Sequence, residues 1–406
     1  MKRFNKNIIL AVFALAFIIA GITGIRFSDI IEDADKRFKG QGNGFFEKME
    51  ETAADIEKVS SRGLAYHNTL LDIHSAKENI LGSRLCVKGG STIAKADNGM
   101  LGEYASLYPE ESLEEIAEVI GGLYDKACEC ESAFLYIAAP QKNYYLQMPE
   151  NIKDRGRENY ENFVKVMEKH SIPTLNVDAA WKRSGIKGEN MFFDTDHHWT
   201  PNAGLLTSEA ICKELNALYG FWYEPELFDP ENYTITTYEN YFLGYYGKKT
   251  GRFFTWKGAD DIDLIVPKFE TDLTEEQPVK GEVRNGAFQD TVLDQELIEE
   301  KDYYNLNPYA TYSGGDFRLQ IMRNNLNHNG KTAVLIRDSF GCVIAPFLSL
   351  QFKELHVVDL RDFSAMVGEK INVYEYIEEI NPDYVFVLYG GVITFPYAAG
   401  RYDFSG

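Results

Sequence analysis

Apolar positions along the chain fall into three regimes. Residues 8–25 form an uncharged, mostly apolar run behind the basic start Met1-Lys2-Arg3-Phe4-Asn5-Lys6. At 1.5 Å per residue that run spans about 27 Å, one bilayer core at little tilt. No small-x-small cleavage site ends it, which favours an uncleaved signal anchor over a cleaved signal peptide. Lys2, Arg3 and Lys6 place residues 1–7 in the cytoplasm and the rest of the chain outside the membrane. Behind the anchor, Phe45, Met49, Ala53, Ile56 and Val59 recur at three- and four-residue steps, and Leu70, Leu71 and Ile73 extend the pattern. That spacing predicts helix within a juxtamembrane segment over residues 26–80, packed on the domain or acting as a stalk.

From Leu81 onward the pattern changes to short apolar runs alternating with helical stripes. Residues 133–139 make an apolar strand ended by Pro140. Residues 113–124 and 158–169 read as helices, and 174–177 as a short strand. Thr200-Pro201 is a helix start, with Thr200 as N-cap and Pro201 at the first helical position, and residues 203–218 fill the helix. Further strands are expected over 332–336, 356–360 and 384–389. Strands separated by helices imply α/β architecture, a mainly parallel sheet covered on both faces, over residues 81–406. Residues 221–307 break the rhythm. They are rich in Tyr, Phe, Asp, Glu and turn residues, with a short strand over 262–266, and read as a β-rich insertion.

Composition adds limits. The 406 residues are 45% hydrophobic and 14% aromatic, enough for a large core. The formal charge of −21 argues against nucleic-acid binding, which requires a basic face. The five cysteines (Cys86, Cys128, Cys130, Cys212, Cys342) are scattered, with no CxxC. They describe neither a zinc site nor a disulfide scaffold, and are expected to be mostly buried, with one or two disulfides conceivable.

The chemistry concentrates in two stretches. One is Asp194-Thr195-Asp196-His197-His198-Trp199-Thr200-Pro201. The other is Val334-Leu335-Ile336-Arg337-Asp338-Ser339-Phe340-Gly341, an apolar strand running into a turn that presents a serine. A serine hydroxyl needs a base, and an imidazole needs a carboxylate to fix its tautomer. In an extended segment Asp196 and His198 share one side, so they are the expected partners of Ser339, with His197 pointing away in a structural role. Trp199 is expected to pack beneath the imidazole, and Asp194 to be a turn or cap carboxylate. The same cluster is rich in metal ligands. In an extended chain, however, His197 and His198 diverge, and no further His or Cys motif completes a shell, so no metal or other cofactor is expected.

Phe193 to Thr200 together with Arg337-Asp338-Ser339-Phe340-Gly341 resemble the DHHW family of bacterial proteins. That family is similar to the alginate O-acetyltransferase group, whose catalytic domain is SGNH-hydrolase-like. Asn98-Gly99-Met100-Leu101, Ala139-Pro140-Gln141-Lys142, the Gly-rich segment from Phe242 to Arg252 and Ala345-Pro346-Phe347-Leu348 match more loosely. The resemblance implies a three-layer α/β/α SGNH-like domain with Ser339 as nucleophile, His198 as base and Asp196 as its partner. The Asp-His block precedes the serine, the reverse of ordinary SGNH hydrolases, like a circular permutation. Arg337 departs from the pattern, standing where Gly-Asp-Ser-Phe has glycine.

The expected protein is an extracytoplasmic, membrane-anchored O-acyltransferase, O-acetyl by family analogy, or an esterase, acting on a cell-surface or exported polysaccharide. An integral-membrane acyltransferase is implied as donor partner. The alternative is a non-catalytic glycan-binding or assembly protein that keeps the fold.

Overall fold

The computed structural model describes residues 67–88, 91–361, 368–391 and 401–406. Two compact units divide at Ile80, and each is described by itself. Of the first, the described part is helix α1 (His67–Ile80), on which Leu70 and Ile73 are exposed and Leu71 half-buried. The apolar run 8–25 and the stripe 45–59 lie outside the described residues. Among the described residues no helix is long and apolar enough to cross a membrane.

The second unit, Leu81–Gly406, opens with a small antiparallel sheet of β1 (Leu85–Lys88), β2 (Ser91–Lys95) and β3 (Leu101–Gly102). Helix α2 (Glu110–Glu129) comes next in the chain, burying Leu113, Ile116, Ala117, Ile120, Leu123 and Ala127 at helical spacing. After it come β4 (Ala133–Ala139), α3 (Gly156–Lys169), β5 (Thr174–Asn176) and α4 (Val177–Arg183). The sequence pattern missed α4. Asn176 ends the strand and caps this helix, its Oδ1 accepting from Ala179 N at 3.0 Å.

Helix α5 (Pro201–Tyr219) starts as the sequence predicts, with Thr200 Oγ1 accepting from Ala203 N and Pro201 at the first position. It ends at Gly220, whose φ of 67° is the left-handed cap that glycine favours. The chain continues through β6 (Tyr233–Phe242), α6 (Tyr245–Thr250), β7 (Asp260–Pro267), β8 (Leu273–Gln277), β9 (Glu282–Gly286) and β10 (Leu319–Asn324). It closes with β11 (Thr332–Arg337), α7 (Ala345–Ser349), β12 (Glu354–Val358), α8 (Val373–Ile380) and β13 (Tyr384–Gly390).

The main sheet has eight strands in the order β5-β4-β13-β11-β12-β10-β8-β9. The first five run parallel and the last three alternate. The central strands read as continuous apolar runs because both faces are covered. Every residue of β13 is buried. Helix α2 packs with α3 and with α8, helix α5 packs with α4 and with α7, and β4 contacts helices from both groups. The fold is therefore mixed α/β around a large, mainly parallel sheet.

One expectation needs correction. The segment 221–307, read as a β-rich insertion, does not all stand apart from the main sheet: β6 and β7 pair with each other, while β8 and β9 extend the main sheet through β10. Register explains it, since β8 alternates buried Leu273, Glu275 and Gln277 with half-buried Thr274 and Glu276, the pattern of an outer strand covered on one face. A second correction concerns the cysteines. Only Cys212 and Cys342 are buried, while Cys86 and Cys130 are half-buried and Cys128 is exposed.

Candidate active site

Ser339 owes its position to the end of β11. Val334, Leu335 and Ile336 are fully buried between neighbouring parallel strands, and the chain leaves the sheet at Asp338. Asp338 caps the 3-10 turn Ser339–Val343 with one carboxylate oxygen on Phe340 N at 3.0 Å. Its other oxygen accepts from Gly390 N at 3.0 Å, tying the turn to the end of β13. Helix α5 braces the turn from behind. A Cβ on Gly204 would stand 2.2 Å from the carbonyl oxygen of Val343, so only glycine allows this approach. Ser339 is thereby held, half-buried, beyond the carboxyl ends of the central strands, where open α/β sheets place ligand sites.

The Asp-His block reaches the serine from the other side. His198 Nε2 lies 2.7 Å from Ser339 Oγ, and His198 Nδ1 lies 2.6 Å from Asp196 Oδ1. Asp196 Oδ1 also accepts from His198 N at 2.9 Å, and Oδ2 from Tyr245 N at 2.6 Å. Burial alone would raise the Asp196 pKa, but the two imidazoles and the Tyr245 N–H hold it well below the usual carboxylate range. A charged carboxylate only accepts hydrogen bonds, so the ring hydrogen of His198 belongs on Nδ1. Nε2 is then left as the acceptor for the serine hydroxyl.

Residues 194–198 are bends rather than extended backbone, and the alternation argument fails there. His197 does not point away. Its ring packs on that of His198 with centroids 3.8 Å apart, and it lines the same cavity as Ser339. Burial, and then the neighbouring His198, lower its pKa to about 4, so it is neutral at physiological pH. Trp199 is not beneath the imidazole either. It is buried against Phe340 and Trp181, and its indole N–H donates to Phe340 O at 2.9 Å. The ring that does stack on His198 is Tyr309, at 4.2 Å and 15°, and its hydroxyl donates to Ser339 O at 3.0 Å. Tyr309 was not legible in the sequence, because no motif surrounds it. Asp194 pairs with Lys257 at 2.8 Å.

Two buried charges shape the bends. Lys142, in the Pro-Gln-Lys turn after β4, donates from Nζ to Asp194 O at 2.7 Å and to Asp196 O at 2.9 Å. Asp260, at the start of β7, accepts from the Asp194 N–H, from Thr195 N at 2.8 Å and from Thr195 Oγ1 at 2.5 Å. Burial lowers the Lys142 pKa to about 8 and raises that of Asp260 to about 7. The Gly-rich segment completes the cradle. Gly244 N donates to Thr195 Oγ1 at 2.9 Å, and a Cβ at Gly244 would lie 2.2 Å from Asp196 Cβ. Glycine is required there for the backbone of Tyr245 to reach the Asp196 carboxylate.

Arg337, which replaces the glycine of the resembled motif, does not intrude on the cavity. Its fully buried guanidinium turns away to Asp316, Gly315 O and Asp359, and Gly341 leaves it room. The cavity has a volume of about 340 Å³. Its walls come from the residues after β4, β11, β12 and β13, with Tyr245 and Tyr246 of α6 opposite. Ligand atoms of Asp196, His197 and His198 lie within 4.8 Å of one another, so the premise that the two rings diverge was wrong. Even so, both His198 nitrogens are engaged, and both Asp196 oxygens accept hydrogen bonds. A cation would have to break the contacts between Ser339, His198 and Asp196.

Comparisons with known proteins match part of the chain and its fold. Residues 110–240 match the family model of the SGNH hydrolase-like domain of the acetyltransferase AlgX. The match includes Asp196 and His198 and stops short of Ser339. In fold, the chain is similar to PatB1 of Bacillus cereus, at 21% identity and a TM-score of 0.59, over 73% of this chain and 95% of that one. A structure of the same protein with a sulfonyl adduct aligns at 20% identity and the same TM-score, over 79% and 97%. A DHHW family protein from Eubacterium siraeum aligns at 18% identity and a TM-score of 0.54, over 78% and 96%. No curated protein matches in sequence. Over residues 110–240 the chain is thus similar to the SGNH hydrolase-like domain of AlgX, and its fold is like that of a DHHW family protein.

Proposed function

We propose that the protein is a serine-dependent O-acyltransferase, acetyl by class, whose acceptor is a polysaccharide. Hydrolysis of the same ester is its reaction when water takes the acceptor's place. The observation that carries this reading is the unbroken path from Asp196 through His198 to Ser339, opening on a cavity. As the hydroxyl oxygen of Ser339 attacks the acyl carbon, its proton passes to His198 Nε2, and Asp196 stabilises the imidazolium. In this reading the Ser339 N–H, at the start of its turn, holds the oxyanion. The tetrahedral intermediate collapses by expelling the donor's leaving group, which takes the proton from His198. A sugar hydroxyl then attacks the acyl-enzyme by the same steps in reverse, freeing Ser339.

The family match to an acetyltransferase supports the choice of reaction. The sulfonyl adduct seen on PatB1 suggests the probe to use here. Ser339 opens on the cavity rather than being walled off, which speaks for chemistry over glycan binding alone. The test incubates purified protein with 4-nitrophenyl acetate and an oligosaccharide. Release of nitrophenolate with an acetylated sugar in the mass spectrum is expected, and a folded protein that consumes no ester would overturn the reading.

We propose further that the apolar run 8–25 is an anchor that puts this chemistry outside the cytoplasmic membrane, with an integral-membrane acyltransferase delivering the acyl groups. Full-length protein is expected in the membrane fraction, and recovery in the soluble cytoplasm would refute the anchor.

A further inference from the structure

Acyl transfer through Ser339, His198 and Asp196 gives no part to His197, a further residue of the cavity wall. His197 is half-buried, and it lines the cavity beside Ser339. Its Nδ1 is buried and makes no hydrogen bond, with Asp196 Oδ1 the nearby carboxylate oxygen at 3.6 Å. Tyr245 and Tyr246 hold the ring edge-on, with centroids at 5.6 Å and 6.0 Å. Such a ring is fixed in place and faces the space where an acceptor must stand.

We infer that His197 forms an acceptor subsite that selects a hydroxyl flanked by a second hydroxyl, the vicinal diol of a sugar, over the lone hydroxyl of a simple alcohol. The inference rests on the acyl-transfer reading of Ser339. A carboxylate beside Nδ1 favours the tautomer with hydrogen on that atom and leaves Nε2 as an acceptor. The attacking hydroxyl must give its proton to His198 Nε2, and the His197 ring lies 3.8 Å from the His198 ring. The neighbouring hydroxyl of the same sugar can then donate to His197. A simple alcohol has no second hydroxyl, so once its one proton goes to His198 it has none to give His197. A cationic ring in this position would repel the imidazolium formed on His198. The burial that keeps His197 neutral removes that conflict. The transfer balances: the bond from the acyl carbon to Ser339 Oγ breaks, a bond to the sugar oxygen forms, and the sugar's proton reaches Ser339 Oγ through His198.

The experiment measures acetyl transfer from 4-nitrophenyl acetate to ethylene glycol, to ethanol and to methyl glucopyranoside, against hydrolysis, with thermal melts as a folding check. Wild type should prefer ethylene glycol and the glucoside over ethanol on a per-molecule basis. In His197→Ala that preference should fall at least about tenfold, the scale of one lost hydrogen bond to substrate. His197→Gln, which keeps an acceptor oxygen, should restore part of it, a rescue that a purely structural role does not produce. Equal preference in wild type and folded His197→Ala, or none in wild type, overturns the subsite while leaving acyl transfer intact. Ester turnover that persists in Ser339→Ala would instead overturn the underlying reading.

Discussion

Ser339→Ala is expected to lower kcat for ester turnover by at least about 10³-fold, because it removes the atom that carries the acyl group. The cost to stability should be small. Ser339 Oγ makes its hydrogen bond to His198 across a half-buried site, and losing one such bond costs about 1 kcal/mol. The two effects therefore separate cleanly in a thermal melt and a turnover assay. A sulfonyl fluoride supplies a second readout, since it should add one sulfonyl group to wild type and none to the variant. Near-normal turnover in folded Ser339→Ala would remove Ser339 from the chemistry, whatever its distance from His198.

How much of this was legible in the sequence depended on the physical range of each signal. The strands β4, β11 and β13 stood out because burial on both faces gives unbroken apolar runs. Helix α5 was marked by Thr200 and Pro201, a local capping signal. The side chains brought together at the site were legible as types, a strand-end serine and an Asp-x-His. Their fine geometry was not. The expectation for His197 assumed extended backbone, but Lys142 and Asp260 bend residues 194–196 from 52 and more positions away in sequence. Tyr309 and Lys142 act through contacts of that long-range kind, which periodicity does not report. The edge strands β8 and β9 were hidden for a related reason: their membership in the sheet depends on pairing with β10, which comes more than thirty residues later.

Asp196→Asn is expected to lower kcat by about 10³- to 10⁴-fold, on the scale of losing the carboxylate that fixes a catalytic histidine's tautomer. The Asp196 carboxylate accepts from three donors: the His198 ring, the His198 N–H and the Tyr245 N–H. An asparagine has one oxygen to offer them, and its amide hydrogens must face a donor. If the amide faces Nδ1, the hydrogen on His198 moves to Nε2, and the ring then presents a donor to Ser339 where the reaction needs an acceptor. The mismatch also costs about 1–3 kcal/mol of stability, so each variant needs a melt beside its rate. The decisive arm is the double variant. If Asp196 acts only through His198 on Ser339, then Ser339→Ala with Asp196→Asn should be no slower than Ser339→Ala alone, because the carboxylate has no nucleophile left to serve. Additive losses in the folded double variant would mean that Asp196 contributes by a separate route, and the path from Asp196 through His198 to Ser339 would have to be abandoned as the unit of catalysis.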